Sequence, residues 1–354
     1  MKIFLEYKQK NRQFGDFLVR YRGKVIWGKY SLYYFMKILE NIFKYVKSLI
    51  NYQLVRLFLL VVVVFIFAIS ITAGHLSLSA PKPQDVVQAA VVPLEQTKVR
   101  VLIVPGHEPG SGGAEFGKVE ENELAVELGQ DLQKLLEADG SYEVFITRDN
   151  QDWNPIFSNY FTDNWDDIAA WEKLARQTME YLISVGSMTK PTPTIIHNNA
   201  PKNVALRLYG ITKWSNENNM DVMVHIHFND YSGHRWNRAG KYSGFAIYVP
   251  APQYYNGAVS RAIAQDVLAR LLEKYKVSNF SLEKSGIIDE PGLIAVGENN
   301  TSNAASILIE YGYIYETKFV DPKLRPQTLQ AMAGQTFLGL QDYFDLASAK
   351  TSQK

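Results

Sequence analysis

The chain contains no cysteine. That absence removes disulfides, thiolate metal ligands and cysteine nucleophiles together, so any metal must be held by His, Asp or Glu. Histidine is scarce as well, with six in 354 residues. A strong charge of either sign is missing, since 37 Lys and Arg stand against 36 Asp and Glu for a net of +1. Nucleic acid is therefore not an expected partner. No internal repeat is visible, which argues against solenoids and propellers. The length suits one large domain or two ordinary ones.

The near-zero balance hides an asymmetry. Residues 1–56 hold twelve Lys or Arg against Glu6, Asp16 and Glu40, a net of +9, so the remainder carries −8 to reach the total of +1. The pivot is LFLLVVVVFIFAISITA at 57–73, an uncharged apolar run that, with its flanks, can cross a bilayer core of about 30 Å. A buried core helix and a cleaved signal peptide are the competing readings. The run is too purely aliphatic for the first, and its basic preamble is too long for the second. We expect an uncleaved signal anchor over 57–75, with residues 1–56 cytoplasmic and the acidic bulk outside, a single-pass protein of the cell membrane. Leu32, Phe35, Leu39, Phe43, Val46 and Ile50 recur at helical spacing. They predict an amphipathic helix, for the inner leaflet or for a partner. Residues 76–97 hold three prolines without periodicity and read as an extended linker.

From residue 98 to about 347, strands alternate with helices. Strands are expected at VRVLIV (99–104), YEVFITR (142–148), DVMVHIHF (221–228), GFAIYVP (244–250) and ASILIEYGY (305–313). Helices are expected at 121–136, 165–186, 259–275 and 327–346. In the first, Leu124, Leu128, Leu132 and Leu135 form the inward stripe; in the third, Val259, Ile263, Val267 and Leu271 do so. The pattern predicts an α/β fold, a mostly parallel sheet sandwiched by helices. Sites in such sheets form outside the carboxyl ends of the strands.

Several candidates gather at that edge. VMVHIHFND carries His225 and His227 in an otherwise apolar strand, and strand alternation puts both on one face with Met223 and Asn229. His107 follows the first strand in VPGHEPGSGG. Glu310 interrupts the apolar SILIEYG. Stepping back three from Leu124 places Glu121 on the buried stripe, at a helix start where the dipole alone would also favour an acid. Two imidazoles and a carboxylate suit Zn²⁺, with a fourth position left for water.

In order, VPGH, a Glu opening a helix, TR, IHFN, a G-x-x-I-Y strand and LIEYGYI resemble the zinc-dependent N-acetylmuramoyl-L-alanine amidases of the type 3 family, over about 99–346. That family reads roughly D-P-G-H-G-G, E, T-R, S-I-H-x-N, G-x-x-x-Y and L-x-E-x-G-F. The resemblance implies a peptidoglycan hydrolase cleaving the amide between N-acetylmuramic acid and the L-alanine of the stem peptide. It implies His107, Glu121 and His227 as zinc ligands and Glu310 as the catalytic carboxylate. Val104 stands where the family has Asp, Glu108 and Pro109 where it has glycines, and His225 where it has Ser. An H-x-H pair can itself bind zinc, so His225 is either an alternative ligand or a group behind His227.

Residues 150–203 form an insertion without a counterpart in that family core. It either lines the cleft, closes over the metal, or decorates the surface with a helix. His197, in its PTPTIIHNN loop, is a weaker ligand candidate, and Asn229 and His234 are candidate substrate contacts. Against the amidase stand a different zinc hydrolase and a degenerate amidase fold that binds cell wall or a partner without hydrolysing it.

Overall fold

The computed structural model describes residues 19–21, 24–26, 98–110, 112–195, 200–231, 234–235 and 237–351. The expected anchor (57–75), amphipathic helix (32–50), linker (76–97) and His197 lie outside the described residues. Among the described residues no helix is long and apolar enough to cross a membrane. Two short strands, β1 (Val19–Tyr21) and β2 (Lys24–Ile26), pair antiparallel in the unit spanning 1–92.

The second unit, 93–354, is built on a six-stranded sheet. Its strands are β3 (Val99–Pro105), β6 (Tyr142–Ile146), β7 (Val222–Asn229), β8 (Ala246–Val249), β9 (Ile287–Asp289) and β10 (Ala305–Tyr313). A separate small hairpin joins β4 (Glu115–Phe116) to β5 (Val119–Glu120). The sheet order is β6-β3-β7-β10-β8-β9. Four of its five pairings are parallel, and β8 runs antiparallel to β10. The chain leaves β3 for β6 on one side and returns to β7 on the other. That reversal makes the gap between the ends of β3 and β7 the natural crevice of an open α/β sheet.

Helices cover both faces. Helices α1 (Glu121–Asp139), α4 (Gly257–Leu272) and α6 (Arg325–Thr351) pack their apolar sides on Val101, Ile103, Val224, Ile226 and Ile307. The buried stripe of α1 runs Leu124, Leu128, Leu132 and Leu136, so a strict step of four displaces the expected Leu135 to a half-buried flank. In α4 the expected Val259 is 45% exposed. Ser260 is buried in its stead, because its hydroxyl accepts the backbone N–H of Ser306 at 2.8 Å where β10 begins. A short helix, α5 (Thr317–Val320), precedes α6.

The insertion and the helix that follows it build the other face. Its helix α2 (Pro155–Ser184) begins ten residues earlier than the periodicity indicated. Asn154 caps it by accepting the Ile156 N–H at 3.1 Å, and Pro155 supplies a preset first-turn φ. A non-helical Asn164 bends the helix and interrupts the apolar spacing, which is why its first turns did not read as helix. The sequence reading missed α3 (Lys202–Glu217), whose Leu206, Tyr209 and Trp214 are buried. Phe157, Phe161 and Ile168 of α2 join them against Leu102, Val104 and Met223 of the sheet. The inserted helix is thus part of the core, where the bland expectation had it on the surface.

Candidate metal centre at the carboxyl edge of the sheet

Three side chains meet where β3 and β7 end. Glu121 opens α1 and is almost fully buried. One carboxylate oxygen lies 2.7 Å from His107 Nε2, and the other lies 2.9 Å from His227 Nδ1. Backbone N–H groups fix the carboxylate from behind: Ala114 N donates at 2.9 Å and Phe228 N at 3.1 Å. The two imidazole centroids are 5.2 Å apart and tilted 65°. Among the described residues, His107, Glu121 and His227 form the group of donors able to share a metal, all within 4.8 Å of one another.

The electrostatics follow from this packing. Burial alone would raise the Glu121 carboxyl, but hydrogen bonds and charge from His107 and His227 outweigh it and hold it well below the usual carboxylate range. Burial lowers the His227 imidazole against the opposing pull of Glu121, which favours the neutral form that a metal ligand needs.

Local backbone geometry makes the approach of these groups feasible. A Cβ on Gly106 would come within 2.5 Å of the His227 ring, so only glycine fits in front of His107. His107 itself sits at φ +65°, a left-handed conformation that costs a non-glycine residue about 1–3 kcal/mol. Arg148 holds that turn in place. It is 1% exposed, and its guanidinium donates to His107 O and Asp149 O at 3.0 Å each, to Asn122 O at 3.2 Å and to Gly106 O. One side chain therefore ties the loop carrying His107 to the first turn of the helix carrying Glu121. Burial pushes the guanidinium down only to about 10, so it stays charged at neutral pH.

Glu310 lies beside His227 in the parallel register of β10 on β7. It is half-buried, and its Oε2 is buried without a hydrogen-bond partner. Burial, then the charges of Glu121 and Glu283, push its carboxyl well above the usual range. Sequence reasoning missed Glu283. This buried carboxylate, in a loop that reads as solvated, accepts from Tyr248 OH at 2.6 Å, Asn229 Nδ2 at 2.8 Å and Tyr313 OH at 3.0 Å.

His225 does not join the group. It points to the same sheet face but sits two residues deeper, paired in register with Val104 and Leu308, and burial pushes its imidazole down to about 3. Its Nε2 is buried without a partner. His234 is 10% exposed, bonds Asp230 Oδ1 at 2.7 Å, and packs against Phe116 and Tyr315. Asn229 reaches the edge but spends its amide on Glu283.

The family model described as N-acetylmuramoyl-L-alanine amidase matches residues 101–342. Among solved structures, the chain is similar to an N-acetylmuramoyl-L-alanine amidase from Clostridium difficile 630, at 17% identity over 70% of this chain and 98% of that one, with a TM-score of 0.45. It is similar to the CwlD amidase from Clostridioides difficile, solved in complex with the GerS lipoprotein, at 16% identity over 70% and 100%, with a TM-score of 0.46. It also resembles the catalytic domain of CwlV, an N-acetylmuramoyl-L-alanine amidase from Bacillus (Paenibacillus) polymyxa, at 16% over 70% and 98%, TM-score 0.44. No curated protein matches it.

Proposed function

Since this chain belongs to the N-acetylmuramoyl-L-alanine amidase family, we propose that its three convergent donors hold a zinc ion and that Glu310 moves the proton in amide hydrolysis. As a peptidoglycan amidase it splits the bond between N-acetylmuramic acid and the L-alanine of the stem peptide. The observation that carries the metal reading is the donor set itself: two imidazoles and a carboxylate drawn around one point, with Glu121 orienting both rings. When bound, zinc would lower the pKa of water to about 7 and polarise the scissile carbonyl.

The chain's own residues supply the rest. Glu121 is locked by two backbone N–H groups, and Arg148 keeps His107 from relaxing out of its turn. Glu310 stands beside His227 with one oxygen unpartnered. Its carboxylate takes one proton from the attacking water as oxygen adds to the carbonyl carbon. It passes that proton to the L-alanine nitrogen as the C–N bond breaks, leaving a carboxylate on the muramyl side and a free amine on the peptide.

In this reading residues 98–347 are the catalytic domain and work outside the cell membrane, tethered by the apolar run at 57–73 with the basic segment inside. Two measurements test the proposal. Purified full-length protein prepared without chelator should hold one zinc per chain and release stem peptide from peptidoglycan. Metal-free protein of full activity refutes the zinc reading, and zinc-loaded protein without activity favours a binding module. An N-terminal tag should survive protease added to spheroplasts, and its cleavage reverses the topology.

A further inference from the structure

The insertion, together with Arg207 of α3, lines a groove that is bonded to the segments carrying the metal centre. Trp153, Ser158, Phe161, Thr162, Trp165 and Arg207 line an open, shallow groove of about 490 Å³. Two links join it to the candidate ligands. Arg207 grips the carboxylate of Glu108, the residue after His107, through Nη2 at 2.7 Å and through Nε. Trp153 forms a β-bridge with Arg148, whose guanidinium holds the His107 carbonyl.

We propose that this groove is a subsite for the neutral glycan strand of peptidoglycan, adjoining the scissile amide; the inference rests on the amidase reading above. The chemistry of the lining selects a sugar. Indole faces are electron-rich and attract the weakly positive axial C–H groups of a pyranose ring. The Ser158 and Thr162 hydroxyls donate to the carbonyls of Pro155 and Ser158 and keep lone pairs that accept from sugar hydroxyls and N-acetyl N–H groups. A stem peptide is the poorer match. It carries free carboxylates, whereas the groove's cation, Arg207, is already bound by Glu108 and lies 5.9 Å over the Trp165 ring. An uncharged strand with an apolar face and hydroxyl edges fits the aromatic wall without a charge left unpaired.

The test uses the full-length protein and a tetrasaccharide of N-acetylglucosamine. Tryptophan fluorescence should respond saturably to it. Trp165→Ala, and separately Thr162→Arg, which fills the groove from an exposed helix position, should each weaken that binding about five- to thirtyfold. The ratio of kcat/KM on long-strand peptidoglycan to kcat/KM on a soluble muropeptide should fall by a similar factor. Tetrasaccharide binding unchanged in both variants overturns the subsite. So does a fluorescence response to free stem peptide in place of the sugar. Wild-type protein that cleaves both substrates yet ignores the tetrasaccharide overturns the subsite alone. Protein that binds the sugar but cleaves neither substrate leaves the subsite standing and overturns the amidase reading.

Discussion

Replacing Arg148 by methionine should damage both the fold and the metal site. The side chain is 1% exposed and serves four carbonyl oxygens, those of Gly106, His107, Asn122 and Asp149. Hydrogen bonds to a charged donor contribute about 1.5–3 kcal/mol each. They are not additive, and Asp149 O sits next to solvent. Counting the two bonds to the His107 turn and part of the third, discounted for that non-additivity, gives a loss of roughly 3–5 kcal/mol, which for a domain of this size lowers Tm by about 6–20 °C. The turn carries a further liability, since His107 holds φ +65° only while something over-determines it. With the clamp gone, His107 relaxes and the three donors no longer converge. Zinc affinity should therefore fall about 10–100-fold, the usual effect of losing a group that orients a ligand. Arg148→Lys keeps the charge but serves one or two carbonyls at most, and should fall between the two proteins. Thermal melts of the metal-free protein and competitive zinc titrations read the two effects separately. Unchanged zinc affinity in Arg148→Met, alongside a lowered Tm, would show that the clamp stabilises the fold without positioning the ligand.

The candidate residues differ in what their loss should do. Glu310→Gln should keep its zinc while turnover falls about 10²–10⁴-fold, whereas Glu121→Gln should lose zinc first; metal analysis beside stem-peptide release separates them, and a zinc-free Glu310→Gln refutes the assignment. The raised Glu310 carboxyl also has a signature in stability. A folded-state pKa above the unfolded value contributes stability below about pH 4.3 that is lost as pH rises through the folded value. In chelator, wild-type Tm should therefore decline with rising pH relative to Glu310→Gln, and parallel curves would refute the burial-and-repulsion account. His225→Ser should retain stoichiometric zinc, because the His225 imidazole lies two residues deeper than the donor group, and loss of zinc there would make it a ligand.

Much of the site was legible because strands and helices have fixed periods. Alternation along β7 put His225 and His227 on one face, and the step back from Leu124 put Glu121 on the buried stripe of α1. What alternation cannot give is depth. His225 and His227 are equivalent by period, yet only His227 clears the sheet edge to face Glu121, and that depends on where β7 ends relative to β3. Strand direction is equally silent: the apolar run of β8 reads the same whether parallel or, as found, antiparallel to β10. Burial was misread wherever a polar group satisfied itself inside. Ser260 displaced Val259 from the α4 stripe through one backbone hydrogen bond.

The same rule explains the two omissions that matter for the chemistry. Arg148 and Glu283 belong to residue types that are almost never buried without partners. Arg148 falls in the TR motif, which gives it no role, and a Glu in SLEKSG carries no signal at all. Their partners come from distant segments: carbonyls of the β3 turn and of α1 for Arg148, two tyrosines and Asn229 for Glu283. Side chains of this kind become visible only once the sheet brings those segments together. Arg148 also ties two of the donor-bearing segments together, through the carbonyls of His107 and Asn122. The candidate ligands followed from residue type and period, whereas Arg148, which holds the turn of one of them, followed from topology. The behaviour of Arg148 variants is therefore a sharper test of this architecture than the loss of any ligand.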